Sequence, residues 1–335
     1  MQSKAIIAIL TILVLSLSFP FVSFFLPAEF LAADFAQLAA SDFLQHADLT
    51  NYTGQALLDD LAIHLNVPID FYRNTEIAYF AEQPQITDIM YYDLESFLSN
   101  FSYADNVVVL TYHHLLKAQE NKNFHNNSSV ISVESFEAQM KYLYENGYQA
   151  YPLSILEAYI DGKIRLPKKS FFITFDDGYL SNYVYAYPIL KNYQYPASIF
   201  AITSMIRFQP EKFDPDTLNY ISWPEIRYST DIFSIGSHTH DFHKKDNGLG
   251  YLLTKPPADA INDMRLSKVL INSPYFAYPF GEYDKKTIYQ LQYSGYRMAF
   301  TTKPGTVKPH SPKYELCRYG VYSSTSLNQF KSYFK

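Results

Sequence analysis

Hydrophobic positions from about residue 105 onward follow two alternating patterns. Runs of apolar and β-branched residues predict six strands, at 107–112, 170–175, 197–202, 232–237, 275–278 and 298–301. Segments between these runs carry apolar residues three or four positions apart, the spacing of a helix with one buried face. Strands that alternate with helices are typical of a parallel α/β sheet or barrel, where functional side chains lie at the carboxyl ends of the strands.

The helix after the first strand has the clearest signals. Ser132 can cap its start and Gly147 can close it. A capping-box spacing at Ser154-x-x-Glu157 predicts a shorter helix that ends at Gly162. Further helices are expected within 181–193 and 285–293. The apolar stripe of the first helix consists of Phe136, Met140, Leu143 and Tyr144.

The first 26 residues have a composition of their own. Lys4 precedes an uncharged apolar run from Ala5 to Leu26, which is typical of a segment that directs a chain into the secretory route. The run is close to the roughly 20 residues needed to cross a bilayer. We therefore expect residues 1–26 to be a signal peptide or a membrane anchor. The protein is then expected to be extracellular at the cell surface, either membrane-anchored or secreted.

Residues 27–105 form a separate region in which no catalytic motif is found. Apolar patches at 43–44 and 57–63 predict short amphipathic helices. A stalk, a packing appendage and a partner-binding segment are all compatible with this pattern. The sequence therefore divides into the segment 1–26, a small, mostly helical region 27–105 of open role, and an α/β domain at 106–335.

Composition excludes some classes of function. Apolar residues make up 48% of the 335 positions, which suffices for a sizeable core. The net charge is −6 and the sequence pI is about 5.8, so a nucleic acid is not expected as a partner. Cys317 is the single cysteine, which excludes an intramolecular disulfide and a cysteine-based zinc cluster.

Two adjacent carboxylates follow the predicted strand 170–175. Asp176 and Asp177 repel each other, so one pKa rises unless a positive charge compensates. A metal ion would compensate, with one carboxylate as a ligand and its neighbour free as a base. Asp-Asp-Gly is also ordinary turn chemistry, so this motif alone is equally compatible with a plain turn.

Three of the nine histidines, His238, His240 and His243, lie within six positions after the predicted strand 232–237. Neutral imidazole is a favoured ligand of zinc and similar metals. The separation of His238 and His243 does not place both on one helical face, so it predicts a loop that curls around an ion. A histidine-rich surface loop is the alternative, but the aspartate pair favours the metal. One carboxylate and two imidazoles would form an open hydrolytic site for a divalent metal, with Zn²⁺ expected and other transition metals as alternatives.

The two motifs together resemble a known family. Thr174–Tyr179 and Ser237–His243 are similar to the motifs of the polysaccharide deacetylases of carbohydrate esterase family 4, the NodB homology domain. The resemblance covers about 106–330 and implies a distorted (β/α) barrel of the polysaccharide deacetylase type. It also implies that Asp176 is the catalytic base and that Asp177, His238 and His243 hold the metal. Four residues separate the two histidines, as in the branch that deacetylates poly-β-1,6-N-acetylglucosamine of biofilm matrices.

Three further stretches resemble that branch. Leu110–His114 matches its first strand, which implies that His113 is the general acid. The stretch 276–284 matches the third family motif and places the N–H of Phe280 at the oxyanion, while Tyr179 of the first motif is expected beside the substrate. Ala277 stands where the family has an arginine that orients the base, so the sequence leaves that group unidentified. The stretch 316–321 resembles the late strand of the branch.

Two assignments stay open at this point. His240 lies between the expected ligands and is either a neighbour that supports them, a residue that faces the substrate or one exposed to solvent. A rival metal set would use His240 and His243. The usual Leu-x-His of the fifth family motif has no counterpart, and His310 is a weak substitute for it.

The expected function is hydrolysis of N-acetyl groups on a β-linked N-acetylglucosamine polymer. This polysaccharide would be the main partner, with the membrane as a second partner through residues 1–26. Peptidoglycan, chitin oligomers and an acetyl ester are alternative substrates. A non-catalytic carbohydrate-binding surface protein on the same fold is the alternative outside enzymes.

Overall fold

The computed structural model describes residues 103–335. The predicted segment 1–26 and nearly all of the predicted region 27–105 lie outside the described residues. None of the helices between 103 and 335 combines the length and the apolarity that crossing a bilayer requires.

Strands and helices alternate along the described chain, as the hydrophobic pattern predicts. The strands are β1 (Val108–Tyr112), β2 (His114–Leu116), β3 (Val130–Ser132), β4 (Gln149–Ala150), β5 (Ser170–Asp177), β6 (Ala197–Ala201), β7 (Phe233–Ser237), β8 (Lys245–Asp246), β9 (Leu249–Gly250), β10 (Tyr275–Ala277), β11 (Met298–Phe300) and β12 (Tyr319–Gly320). The α-helices are α1 (Val133–Glu145), α2 (Leu153–Ile160), α3 (Tyr187–Tyr193), α4 (Trp223–Tyr228), α5 (Tyr251–Thr254), α6 (Pro257–Ile271), α7 (Lys285–Tyr293) and α8 (Leu327–Ser332).

The main sheet is a parallel half-barrel flanked by helices. Its strand order is β11-β10-β7-β6-β5-β1-β12, and β4 pairs with the start of β5. A bridge between Phe300 and Leu316 ties the chain just before β12 to the end of β11. Because the paired strands are parallel, their carboxyl ends meet at one edge, where β5 ends beside β6 and β6 beside β7.

The central strands are buried on both faces. All eight residues of β5 are buried, and so are all five of β1 and of β6. Continuous apolar strands of this kind are typical of parallel sheets with helices on both sides. The expected parallel α/β class is therefore confirmed.

Helix α1 confirms its predicted signals. The Ser132 hydroxyl accepts the N–H of Ser135 at 3.0 Å and so caps the helix. The predicted stripe is buried except for Tyr144, which is 59% exposed. The predicted capping box at Ser154 is wrong, because α2 already begins at Leu153, whose side chain is buried, and is preceded by the extended Pro152.

The other helices differ in how well the hydrophobic periodicity of the sequence predicts them. Helix α7 covers the predicted 285–293, while the segment predicted at 181–193 starts with a π-helical turn, Asn182–Ala186, before α3. Helix α6 has no counterpart in the prediction. Its buried face includes the polar Asp263 and Ser267 beside Ala260 and Met264, which conceals the apolar stripe.

Candidate active site

The two adjacent aspartates leave the end of β5 in different directions. Side chains of consecutive strand residues normally alternate between the two faces of a sheet. Asp177 and Gly178 both adopt left-handed backbone conformations, with φ of 72° and 79°, which turns the chain sharply at the strand end. A Cβ on Gly178 would lie 3.0 Å from that of Ala201, so this turn requires glycine. The two carboxylates consequently contact different side chains, Asp176 with Arg318 on what we call the interior side and Asp177 with two histidines on what we call the rim side.

Asp176 is paired with a buried arginine. Arg318 Nη1 and Nη2 each donate to one oxygen of Asp176 at 2.7 Å, and Nη1 also donates to Thr174 Oγ1 at 3.0 Å. Arg318 is fully buried, and the rings of Phe200 and Phe300 lie 5.7 and 5.8 Å from its guanidinium. Two parallel hydrogen bonds of this kind fix both the position and the orientation of a carboxylate.

The arginine changes the acidity of Asp176. Burial alone would raise the pKa of this carboxyl. The charge of Arg318 opposes burial and holds the pKa of Asp176 well below its usual range. Asp176 is therefore ionised at neutral pH.

Arg318 is the functional residue that sequence reasoning missed. The third motif carries Ala277, whose carbonyl instead accepts a hydrogen bond from Nδ1 of His238 at 2.8 Å. Asp176 is held instead by Arg318, which immediately precedes β12, the last strand in the sheet order, and lies 142 residues away in sequence. A signal was available, because Arg318 interrupts an otherwise apolar stretch from Leu316 to Val321, and a charge in such a strand needs a buried partner.

Asp177, His238 and His243 come together on the rim side. Asp177 Oδ1 lies 3.5 Å from His238 Nε2 and 3.3 Å from His243 Nε2. This oxygen is buried and has no hydrogen-bond partner among residues 103–335. The three ligand atoms lie within 4.8 Å of one another.

The protonation states fit a cation between these three side chains. His238 Nδ1–H donates to the Ala277 carbonyl, which leaves Nε2 as the nitrogen on the side of Asp177 that can offer a lone pair to a metal. Burial lowers the pKa of His243 to about 4, so its imidazole is neutral at pH 7. Two imidazole nitrogens and one unpaired carboxylate oxygen suit a divalent transition metal and leave open positions on it.

His240 lies in the loop between His238 and His243, and its side chain contacts Thr203. Its Nδ1 lies 3.0 Å from Thr203 Oγ1, and its carbonyl accepts the N–H of Ser204. The geometry therefore groups His243 with His238 and Asp177 rather than with His240.

His113 lies at the end of β1, close to the aspartate pair. Its charge is among the influences that lower the pKa of Asp176. Its Nδ1 is buried without a hydrogen-bond partner in the described part of the chain, and its carbonyl accepts from Asn182 Nδ2 at 2.7 Å. The ring is thus near the reacting groups and has a nitrogen that is not engaged by the protein.

Two aromatic residues border the rim side. The ring of Tyr179 stacks on Tyr220 at 5.4 Å, and burial, followed by the charge of Asp177, raises the pKa of Tyr179. Phe280 is 38% exposed and its ring lies 4.4 Å from that of His243. Its φ of 60° is a left-handed conformation that a bulky residue rarely adopts, and such strain concentrates at functional sites.

His310 does not join this group. It is exposed at the end of α2, where its N–H donates to the Ile160 carbonyl at 2.8 Å. The fifth family motif therefore has no counterpart at this position.

Comparisons with known proteins agree with the site. A family model described as polysaccharide deacetylase matches residues 163–299. YxkH of Bacillus subtilis is 31% identical over 214 residues, which cover 62% of this chain and 71% of YxkH. The poly-beta-1,6-N-acetyl-D-glucosamine N-deacetylase of Staphylococcus aureus is 30% identical over 236 residues, covering 64% of this chain and 78% of the relative. The solved structure of IcaB from Ammonifex degensii superposes with a TM-score of 0.60 at 26% identity, over 69% of this chain and 98% of that one.

The matched region of the family model includes the aspartate pair and the histidine loop, and both curated relatives align over more than two thirds of their length. The chain therefore belongs to the polysaccharide deacetylase family and is a hydrolase of the deacetylase class.

Proposed function

We propose that this protein is a metal-dependent, extracellular N-deacetylase of a β-linked N-acetylglucosamine polymer, specifically poly-β-1,6-N-acetylglucosamine of a biofilm matrix. The observation that carries the proposal is the unpaired Asp177 Oδ1 facing the Nε2 atoms of His238 and His243. The substrate is supported by the name of the Staphylococcus aureus relative and by the four-residue spacing between the histidines.

Asp177, His238 and His243 would hold the metal, for which Zn²⁺ is the proposed ion. When bound, the ion supplies a Lewis acid that acidifies water and polarises the acetyl carbonyl. A deacetylase needs both effects, because an amide carbonyl is a poor electrophile and neutral water a poor nucleophile.

Asp176 is proposed as the general base. A water molecule attacks the acetyl carbonyl carbon, and the Asp176 carboxylate accepts its proton. The Arg318 fork keeps the carboxylate ionised and correctly turned. Each oxygen still has a second lone pair for the water, since a carboxylate can accept about four hydrogen bonds.

His113 is proposed as the general acid. Breaking the carbon–nitrogen bond releases acetate, and the leaving nitrogen takes a proton from the His113 imidazole to become the amine of glucosamine. The Phe280 N–H is proposed to stabilise the negative oxygen that forms on the carbonyl. The exposed Phe280 ring and Tyr179 would border the sugar.

Residues 1–26 support an extracellular location, because a lysine followed by a long apolar run is typical of secretory signals and anchors. Catalysis on a matrix polymer requires that location. Both a membrane-anchored protein and a secreted one would meet this requirement.

Acetate release from purified poly-β-1,6-N-acetylglucosamine tests the function. We expect release by the unchanged chain, loss after chelation and recovery on adding Zn²⁺. Asp176→Asn should lower the rate by roughly 10²- to 10⁴-fold. Asp231→Asn, which changes a partly exposed ion pair with Lys191, is the matched control and should leave the rate unchanged.

Two results would contradict the proposal. Undiminished release by Asp176→Asn would remove the assigned base. Faster release from chitin oligomers or peptidoglycan than from the β-1,6-linked polymer would reassign the substrate.

A further inference from the structure

The side chain of Asp263, on α6, binds backbone N–H groups of the loop between His238 and His243. One oxygen of its carboxylate accepts the N–H of His240 at 2.8 Å, and the other accepts the N–H of Asp241 at 2.7 Å. These are the second and third of the four residues between His238 and His243. The carboxylate therefore contacts the middle of the loop and neither of its ends.

The arrangement depends on a carboxylate. Successive backbone N–H groups that converge on one site form a pocket for an anion. Asp263 is only 7% exposed, and a buried carboxylate is costly unless it is hydrogen-bonded. An asparagine in this place would offer one acceptor oxygen and turn its N–H₂ group toward the second N–H donor.

A second contact from α6 supports the same segment. Ser267 lies one helical turn after Asp263, and its Oγ is 2.7 Å from Ser237 Oγ at the end of β7. Ser237 Oγ in turn accepts the N–H of Thr239 at 3.2 Å. Thr239 has a φ of 75°, which is rare for a β-branched residue and persists only when the surroundings hold it. Helix α6 thus fixes the strained start of the loop and its middle.

We propose that Asp263 is a positioning residue that sets the separation of the two imidazole nitrogens and thereby the affinity of the site for its divalent metal. This rests on the proposed function, since it deepens the assignment of the metal site. His243 follows Asp241 by two positions, so the hydrogen bond to Asp241 N–H fixes the direction in which the chain approaches Asp177.

Zinc affinity of the full chain tests the role of Asp263. The dissociation constant is measured by competition with a chromogenic chelator, and the folded fraction is measured by circular dichroism in the same buffer. Asp263→Asn should raise the constant roughly tenfold or more, as is usual when a group that orients metal ligands is removed. Excess Zn²⁺ should restore acetate release by this variant at a folded fraction that equals that of the unchanged chain before zinc is added, which separates lost metal affinity from lost stability.

Glu225→Gln is the matched control. Glu225 is also 7% exposed, and its carboxylate also accepts a backbone N–H, that of Ser222 at 2.8 Å, but it lies at the start of α4. This variant should lose stability without a change in zinc affinity. Asp263→Glu keeps the charge but lengthens the side chain by one methylene, so its zinc affinity should lie between those of the unchanged chain and Asp263→Asn. Its loss of affinity against the unchanged chain tests the proposal if the asparagine variant does not fold.

The outcomes separate the two proposals. Equal zinc affinity in Asp263→Asn or in Asp263→Glu and the unchanged chain, at equal folded fraction, would overturn the role of Asp263 and leave the metal site intact. Failure of the unchanged chain to bind Zn²⁺ or another divalent transition metal would overturn the proposed function and this inference with it.

Discussion

The interior side of the active site and its rim side treat two neighbouring carboxylates in opposite ways. On the interior side, Asp176 shares both oxygens with Arg318, and the pair lies among aromatic rings. On the rim side, Asp177 turns one buried oxygen toward His238 and His243 without a hydrogen bond to it from the described protein. One carboxylate is neutralised by the chain itself, whereas the other is left for a ligand.

The difference explains how one strand end can supply two chemical roles. Adjacent carboxylates would normally share a raised pKa. Here a permanent cation on one side keeps Asp176 ionised, and Asp177 stays available for the ion proposed to bind between it and the two histidines. Pairs of titratable groups in contrasting environments are a general sign of divided roles in catalysis.

The largest effect is expected from Asp177→Asn. This change should lower acetate release by on the order of 10³-fold, equivalent to several kcal/mol of metal-derived stabilisation, and abolish zinc binding. The free energy of unfolding of the metal-free protein should change by less than about 1 kcal/mol, because Asp177 Oδ1 has no hydrogen bond to lose. Rate, zinc content and urea unfolding check this, and a large loss of stability would show that the rim side is also a structural pair.

Arg318→Met tests the interior side. It leaves the Asp176 charge buried and unpaired, so the free energy of unfolding should fall by about 3–5 kcal/mol. Adding Asp176→Asn to the same chain should restore part of this loss, because both buried charges are then gone. Urea unfolding of the two variants measures the effect, and a single variant as stable as the unchanged chain would refute the contrast between the two sides.

Sequence reasoning found the rim side because its signals are local. The pair Asp176 and Asp177 and the histidine loop each follow an apolar strand, and parallel strands bring their carboxyl ends together. The interior side could not be found in this way. The partner of Asp176 is Arg318, which immediately precedes β12. The local sequence shows that this arginine needs a buried partner, but not which carboxylate it binds.

The same limit explains the missing helix. Helix α6 buries Asp263 and Ser267 because these polar groups have partners on β7 and in the histidine loop. A periodicity argument counts them as exposed positions and so finds no buried face. The capping box at Ser154 failed for a related reason, since burial of Leu153 sets the start of α2 before any cap does.

The buried His114 predicts a pH dependence of stability. Burial lowers the pKa of His114 to about 4, against the opposing charge of Asp177, and its Nε2 has no hydrogen-bond partner between residues 103 and 335. The unfolded chain binds the proton near pH 6.5 and the folded chain only near pH 4. The protonation of His114 should therefore leave the free energy of unfolding unchanged above pH 6.5. It should lower this free energy by roughly 3 kcal/mol as the pH drops to 4.

The variant His114→Gln isolates this contribution from that of His243, which has a similarly lowered pKa. Its free energy of unfolding should fall less steeply with acid than that of the unchanged chain, whatever its stability at pH 7. His125→Gln, at an exposed position, should keep the original slope. Parallel curves for the unchanged chain and His114→Gln would mean that His114 is not a buried neutral group.

The smallest effect concerns an ion pair near the rim. Lys245 Nζ lies 2.6 Å from Glu282 Oε1, a distance close to that of the Arg318 pair, yet the lysine is 41% exposed. The other Glu282 oxygen accepts the N–H of Gly250 at 2.6 Å, and the amide oxygen of Glu282→Gln could still do so. This variant therefore removes the charge and little else, which should cost about 0.2–1 kcal/mol at low salt.

The loss should vanish in 1 M salt, since exposed charges are screened and buried ones are not. Urea unfolding at both salt concentrations measures it, and a salt-independent loss as large as that of Arg318→Met would show that distance, rather than burial, sets the strength of these pairs.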